Sequence, residues 1–272
     1  MNNDRLLYRR GILQLVASGF FLSTAGIALR LVEQADGWQI LFYRSLALSI
    51  TILLILVFQK RSRFFDEFRG LGWNDCLLAV FLGTGFVAYV FALLYNTVAN
   101  ALFIFSCAPF LAGFLGWILL GERVATRTWF AIGVAMSGLA VMVGSELAVS
   151  HYLGTLLALW IPIAYAASII AVRRSKRDNM LVALCLAGLV AGGLSAFFVT
   201  DYALTPRDLI ISLYLGVFQV GVGFTLVVLG SRYVPAAQVG LLALVEPVLA
   251  PIWAWMGVGE VPSLATIVGG TI

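Results

Sequence analysis

Glu246 is the residue of this sequence whose type and position most clearly suggest chemistry. It lies ten residues beyond Ala236 in an apolar run, which is about 15 Å along a helix. A carboxylate this deep in a bilayer costs about 2.5–3.5 kcal/mol, so it must be protonated, paired or open to a wet cavity. The residue is therefore either a site for a substrate ammonium group or a coupling proton, or a packing acid beside Pro247 that bonds a neighbouring backbone.

Arg44 is the second ionisable residue inside an apolar run. If that run begins at Trp38, Arg44 lies about 9 Å inside it. Its long side chain can extend outward to water or pair with a helix-end carbonyl. The same guanidinium group would also suit a substrate carboxylate, and the sequence leaves both roles open.

Trp160 lies in the middle of its apolar run, whereas the other six tryptophans lie within a few residues of a run end. Membrane tryptophans are normally found at the interfaces. Trp160 is therefore predicted to line a cavity and stack on a flat substrate, with lipid-facing or packing bulk as the alternative. Three further aromatic residues are predicted to bind substrate: Tyr165, Tyr89 and Phe20. Three prolines are predicted to kink helices and act as hinges: Pro109, Pro162 and Pro247.

The composition excludes most other classes of protein. Of 272 residues, 62% are hydrophobic and 11% charged, against roughly 45–50% and about 25% in soluble domains. Long continuous apolar runs exclude a transmembrane barrel, which alternates apolar and polar residues. The basic residues form short clusters between these runs, so no nucleic-acid partner is predicted. Since no phosphate-binding loop, metal-ligand cluster or nucleophile–base set is present, we expect no enzyme activity, no metal and no cofactor.

The apolar runs predict an all-α, multi-pass membrane protein in a lipid bilayer. Of the 17 Lys and Arg residues, 14 fall in connections on one side of the predicted spans. Positively charged loops stay in the cytoplasm, so the N-terminus is predicted to be cytoplasmic. The predicted spans are 11–29, 38–58, 76–95, 100–120, 128–145, 153–172, 180–199, 209–229 and 236–256, followed by a tenth of which 264–272 is only the first part.

An internal repeat relates the two halves of the chain. At an offset of 138 positions, Pro109, Trp117, Gly121 and Glu122 match Pro247, Trp255, Gly259 and Glu260. Leu82-Gly83 matches Leu215-Gly216 at an offset of 133. With five spans per copy, the second copy enters the membrane from the opposite side, and such inverted repeats are typical of secondary transporters. The predicted halves are 1–150 and 151–272.

Several of these segments resemble a known family. Two sets of segments resemble the two EamA domains of the drug/metabolite transporter superfamily. The first is Ala108-Pro109-Phe110-Leu111-Ala112 with Gly121-Glu122-Arg123, and the second, its repeat, is Glu246-Pro247-Val248-Leu249-Ala250 with Gly259-Glu260. The overall pattern is most similar to YddG-type exporters of aromatic amino acids.

This resemblance implies ten helices, the tenth truncated here, in two inverted five-helix repeats around a central cavity lined mainly by spans 1, 3, 4, 6, 8 and 9. It also implies export of small organic solutes, aromatic amino acids first, by alternating access in a bacterial cytoplasmic membrane. A nucleotide-sugar or other metabolite carrier and a channel are the alternatives, and the oligomeric state stays open, a monomer included.

Overall fold

The computed structural model describes residues 2–60, 64–95, 98–143, 152–175, 180–259, 261 and 264–271. Within these ranges the regular structure is entirely helical, and seven helical segments are long and apolar enough to cross a membrane. The helices are α1 Asn2–Leu22, α2 Ala25–Arg30, α3 Gly37–Lys60, α4 Phe64–Arg69, α5 Trp73–Tyr95, α6 Val98–Phe105, α7 Ala108–Leu120, α8 Thr126–Val143, α9 Tyr152–Arg174, α10 Leu181–Ala196, α11 Pro206–Tyr214, a π-helical segment Leu215–Val222, α12 Gly223–Gly230, α13 Ala236–Ala243, α14 Val245–Val258 and α15 Leu264–Thr271.

Each predicted span overlaps one helix or a run of two or three consecutive helical segments. α10, with 16 residues, is about 24 Å long and falls short of the roughly 30 Å hydrocarbon layer. It is nevertheless packed between α3 and α5, where Leu181, Leu184 and Ala187 are completely buried. The short helix α4 was not predicted by the apolar pattern, because three of its six residues are charged.

Spans 4 and 9 are each interrupted at the same point. α6 and α13 both have eight residues and begin 138 positions apart, and a short break follows each of them. The helices after the breaks, α7 and α14, end at Gly121 and Gly259, whose φ angles are 66° and 72°. This left-handed conformation favours glycine. The helix bounds thus follow the offset found in the sequence, while Glu260 lies outside the described residues.

The three predicted hinge prolines occupy two kinds of position. Pro109 is the second residue of α7 and Pro247 the third of α14. Proline is tolerated in a first turn because its missing N–H would have no partner within the helix. Both therefore accompany a restart of the helix, whereas the sequence predicted a kink in a continuous one. Pro162 lies inside α9, which continues from Tyr152 to Arg174.

Two glycines that match at an offset of 133 make equivalent close contacts between the halves. A Cβ at Gly83 in α5 would lie 2.8 Å from Val190 Cβ of α10. A Cβ at Gly216 in the π-helical segment would collide with the carbonyl oxygen of Arg44 in α3. In each half, this glycine lets one helix touch a helix of the other half.

One ion pair, the Glu122 cluster, joins several helix ends. Arg173, near the end of α9, donates from Nε to Glu122 Oε1 at 2.5 Å. Its Nη1 also donates to the carbonyl oxygens of Ser231, at 2.9 Å, and Val234. Glu122 Oε2 accepts a hydrogen bond from the backbone N–H of Ala236 at 3.0 Å, which caps the start of α13. Glu122, two residues beyond the end of α7, is thereby linked to α9 and to the start of α13, and Arg173 adds the connection between α12 and α13.

The interrupted helices also touch each other directly. A Cβ at Gly240 of α13 would lie 2.6 Å from Pro109 Cα of α7. Only a residue without a side chain fits between these two backbones.

Candidate functional site

A small cavity lies between the two halves, beside the start of α14. Its lining comes from α1, α5, α6, α9, α12, α13, α14 and the π-helical segment, and also includes Arg44 of α3. These elements correspond to spans 1, 3, 4, 6, 8 and 9, which the family resemblance implies, with span 2 in addition. The cavity volume is about 40 Å³. At about 10–15 Å³ of such space per water, it has room for about three waters and none for an amino acid.

Glu246 supplies the negative charge of the cavity. It is the second residue of α14 and is buried, with 6% of its surface exposed. The Tyr89 hydroxyl group donates a hydrogen bond to Glu246 Oε1 at 3.0 Å. The backbone dipoles at a helix N-terminus favour a negative charge in the first turn. The break before α14 thus brings a helix N-terminus to the cavity wall and places a carboxylate on it.

Arg44 supplies the positive charge. It is 4% exposed and lines the cavity, so its side chain does not extend towards the membrane surface. Its guanidinium carbon lies 5.6 Å from the ring centre of Phe86 and 5.9 Å from that of Tyr89, within the range of cation–π attraction. Among the described residues its Nε has no hydrogen-bond partner. Arg44 therefore retains a free, charged donor.

Aromatic rings form much of the remaining wall. Tyr165 is buried and packs edge-to-face against Phe105, with ring centres 5.6 Å apart. Phe86 and Phe224 make a similar contact at 5.0 Å. Sequence reasoning identified Tyr89 and Tyr165 but missed Phe86, Phe105 and Phe224. Isolated phenylalanines in apolar runs carry no signal that separates a cavity wall from ordinary packing.

Trp160 and Phe20 lie outside the cavity lining. Trp160 Nε1 donates to Thr84 Oγ1 at 3.1 Å, and the indole ring lies 5.9 Å from that of Phe81. Phe20 is about half exposed and packs edge-to-face on Trp253 at 5.2 Å. The structure does not bring these two predicted residues together with Arg44, Tyr89, Tyr165 and Glu246. A central position along a span does not determine which way a side chain faces.

Gln219 is a polar cavity residue that sequence reasoning missed. It lies in the π-helical segment, is 2% exposed and lines the cavity. Its Nε2 donates to the carbonyl oxygen of Leu22 at 3.4 Å, and its Oε1 has no partner among the described residues. A single amide inside an apolar run was an available signal, of the same kind that marked Glu246.

The site therefore combines a cation, an anion, tyrosine hydroxyls and an amide within aromatic walls. Burial strengthens the attraction of each charged group for a ligand of opposite charge. A ligand with both a carboxylate and an ammonium group would satisfy both charged side chains.

Comparison with known proteins identifies the family. The model of the EamA-like transporter family matches residues 9–144 and again residues 152–272. The chain belongs to the EamA-like transporter family. This EamA-like protein is thus a multi-pass membrane transporter, and the two matches correspond to the two halves related by the sequence repeat.

Two relatives of this EamA-like protein are named as transporters. An uncharacterized transporter of Archaeoglobus fulgidus is 27% identical over 266 residues, covering 97% of this chain and 93% of its own. The uncharacterized transporter YwfM of Bacillus subtilis is 27% identical over 168 residues, covering 60% and 57%. A crystal structure with 19% identity aligns over all of this chain and 93% of its own with a TM-score of 0.78, which supports the fold.

Proposed function

We propose that this EamA-like transporter exports amino acids, aromatic ones first, across a bacterial cytoplasmic membrane by alternating access. The observation that carries the proposal is the presence of Arg44, Tyr89 and Glu246 in one buried cavity with aromatic walls. Arg44 would bind the substrate carboxylate and Glu246 the ammonium group, while Tyr165 would contact an aromatic side chain.

The charge balance of the cavity favours a zwitterion over an anion. Arg44 and Glu246 contribute opposite charges to the same lining. A nucleotide sugar carries at least two negative charges, and the Glu246 carboxylate would repel them in a medium of low dielectric constant. Such a substrate would need additional basic side chains, and the cavity lining has one, Arg44.

Alternating access would arise from two inverted five-helix halves within a ten-helix bundle. The 138-residue offset shared by the starts of α6 and α13 and by the two glycine caps supports this arrangement. So does the equivalent packing of Gly83 and Gly216 against helices of the opposite half. Because the cavity is too small for an amino acid as it stands, substrate entry requires relative movement of the surrounding helices, as in other inverted-repeat carriers.

Counterflow in proteoliposomes tests the proposal. Vesicles containing the purified protein are loaded with one unlabelled amino acid and diluted into labelled phenylalanine. We expect saturable accumulation driven by internal phenylalanine, tryptophan or leucine, and none driven by a sugar phosphate or a nucleotide sugar. Protein-free vesicles provide the background. No accumulation of phenylalanine, together with counterflow of a labelled nucleotide sugar in a parallel assay, would identify a different carrier, and flux that does not saturate would identify a channel.

The direction of net transport needs a separate measurement. Right-side-out and inside-out membrane vesicles, each with the same inward phenylalanine gradient, should both take up label if the carrier is reversible. In cells, export predicts that expression lowers the internal phenylalanine concentration after dipeptide feeding. A rise in that concentration would contradict the export assignment.

A further inference from the structure

We propose that Gln219 determines specificity for the amino group of the substrate, by accepting a hydrogen bond from it at Oε1. This inference rests on the proposed amino-acid transport and adds a residue that neither the sequence repeat nor the family resemblance singled out. Gln219 is 2% exposed, lines the cavity and has an amide oxygen without a partner among the described residues.

The hydrogen bonding of the side chain identifies which amide atom is free. Nε2 donates to the carbonyl oxygen of Leu22 at 3.4 Å. A carbonyl can accept only from the NH₂ end of the amide, so Oε1 is the atom left for a ligand. An amide oxygen accepts and never donates, and its ligand must therefore carry an N–H or O–H group.

The backbone around Gln219 is unusual in a way that supports a functional role. Residues 215–222 form a π-helix, a wider turn that is rare and is found frequently at functional sites. Gly216 of this segment lies against the backbone of Arg44, where a Cβ would collide with the Arg44 carbonyl oxygen. The π-helix thus holds Gln219 on an element that directly touches the one carrying Arg44.

The unpaired atoms of the cavity complement an α-amino acid. Arg44 Nε is an unpaired donor and Gln219 Oε1 an unpaired acceptor, and both residues line the same cavity. A carboxylate accepts from the first, and an ammonium group has three N–H donors, of which Glu246 and Gln219 would take two. Glu246 supplies the charge, whereas Gln219 recognises the direction of an N–H.

Three ligands that share a phenyl ring isolate the proposed contact. Phenylalanine has both polar groups, phenethylamine lacks the carboxylate and 3-phenylpropionate lacks the ammonium. Binding to the purified full chain in detergent is measured by calorimetry for the wild type and for Gln219→Leu. We expect Gln219→Leu to weaken phenylalanine and phenethylamine roughly tenfold, as for a lost hydrogen bond to a charged group, and to leave 3-phenylpropionate within about twofold.

Thr225→Val is the matched control. Thr225 Oγ1 is likewise buried without a partner, on the neighbouring α12, but Thr225 does not line the cavity. This substitution should change the affinity of none of the three ligands. In addition, the melting temperature of ligand-free Gln219→Leu should stay close to that of the wild type, because removal of the unsatisfied Oε1 offsets loss of the Nε2 hydrogen bond to Leu22.

The outcomes separate this inference from the proposed function. If Gln219→Leu weakens all three ligands equally, or none of them, the assignment of Gln219 is overturned while amino-acid transport stands. If the wild type binds none of the three ligands and exchanges no amino acid in counterflow, both fail together. Should Gln219→Leu not fold, Gln219→Met keeps the length of the side chain and is judged by the same affinity ratios.

Discussion

The Glu122 cluster and the central cavity each contain an arginine and a glutamate inside the protein. They differ in whether the polar atoms of the site have hydrogen-bond partners. In the Glu122 cluster, each carboxylate oxygen has a partner, and Arg173 bonds a carboxylate and two backbone carbonyls. In the cavity, Arg44 keeps an unpaired Nε, and Gln219 an unpaired Oε1.

We interpret this difference as one between a structural ion pair and a candidate binding site. An unsatisfied buried polar atom costs about 1–3 kcal/mol. Among the described residues four buried side-chain atoms lack a partner: Arg44 Nε and Gln219 Oε1 belong to residues of the cavity lining, whereas Gln14 Oε1 and Thr225 Oγ1 do not. Arg44 and Gln219 line the same small cavity, so two of these unsatisfied atoms belong to one site. Substitutions in the Glu122 cluster should therefore change stability, and substitutions in the cavity should change substrate affinity.

Glu246→Gln should have the largest effect on binding. It keeps the size of the side chain and an acceptor for Tyr89 but removes the charge that would face the ammonium group. We expect phenylalanine affinity to fall about 10–100-fold, since hydrogen bonds to charged groups contribute about 1.5–3 kcal/mol. Calorimetric titration measures the change. Glu122→Gln is the matched control outside the cavity, and an equal loss of affinity in that variant would contradict the comparison.

Arg173→Met should have the largest effect on stability. It leaves the partly buried Glu122 carboxylate without its charged partner and removes the bonds to Ser231 and Val234. We expect a loss of about 2–3 kcal/mol, which corresponds to a melting temperature about 4–12 °C lower for a chain of this size. Size-exclusion chromatography after heating measures this change. Normal stability with reduced phenylalanine affinity would assign Arg173 to the binding site instead.

Tyr89→Phe should have an intermediate effect. It removes the hydroxyl group that donates to Glu246 at 3.0 Å and leaves the ring beside Arg44. We expect phenylalanine affinity to fall about fivefold, because one hydrogen bond that orients the carboxylate is lost, at about 1 kcal/mol. Equilibrium binding measures the change, with Tyr165→Phe as a second tyrosine variant. Tighter binding by Tyr89→Phe would mean that the tyrosine competes with substrate for Glu246.

Trp160→Phe should have the smallest effect. The indole ring lies outside the cavity and its hydrogen bond is to Thr84. We expect phenylalanine affinity and the KM for counterflow to stay within about twofold of the wild-type values, with at most a small loss of thermal stability. A large increase in KM with normal expression would show that Trp160 reaches the substrate in another conformation.

The sequence predicted much of the fold because burial in a bilayer leaves a strong one-dimensional signal. Apolar runs marked every long helix, and the 138-residue offset anticipated the matching bounds of α6 and α13. The break in span 1 was missed. Ser23 and Thr24, whose hydroxyl groups bond the carbonyl oxygens of Phe20 and Phe21 at 2.7 Å, were the local signal for it.

The site was predicted in part. Arg44 and Glu246 were identified because a charge in an apolar run is costly wherever its side chain points. The position of Trp160 along its span did not indicate that the residue lies outside the cavity lining, because an aromatic residue is tolerated on any face of a membrane helix. Its role in substrate binding stays a prediction. Gln219 was missed because an uncharged amide is a weaker signal, and because the π-helix that places it is a backbone feature without a sequence motif.

The bare contact between Gly240 and Pro109 has a mechanical consequence. Side chains usually act as spacers that allow packed helices to slide by small rotamer changes, and here there is none between the two backbones. The backbones of the two interrupted spans are already in contact at this point, so they cannot come closer there. A methyl group at position 240 would collide with the backbone of Pro109 and would force α7 and α13 apart.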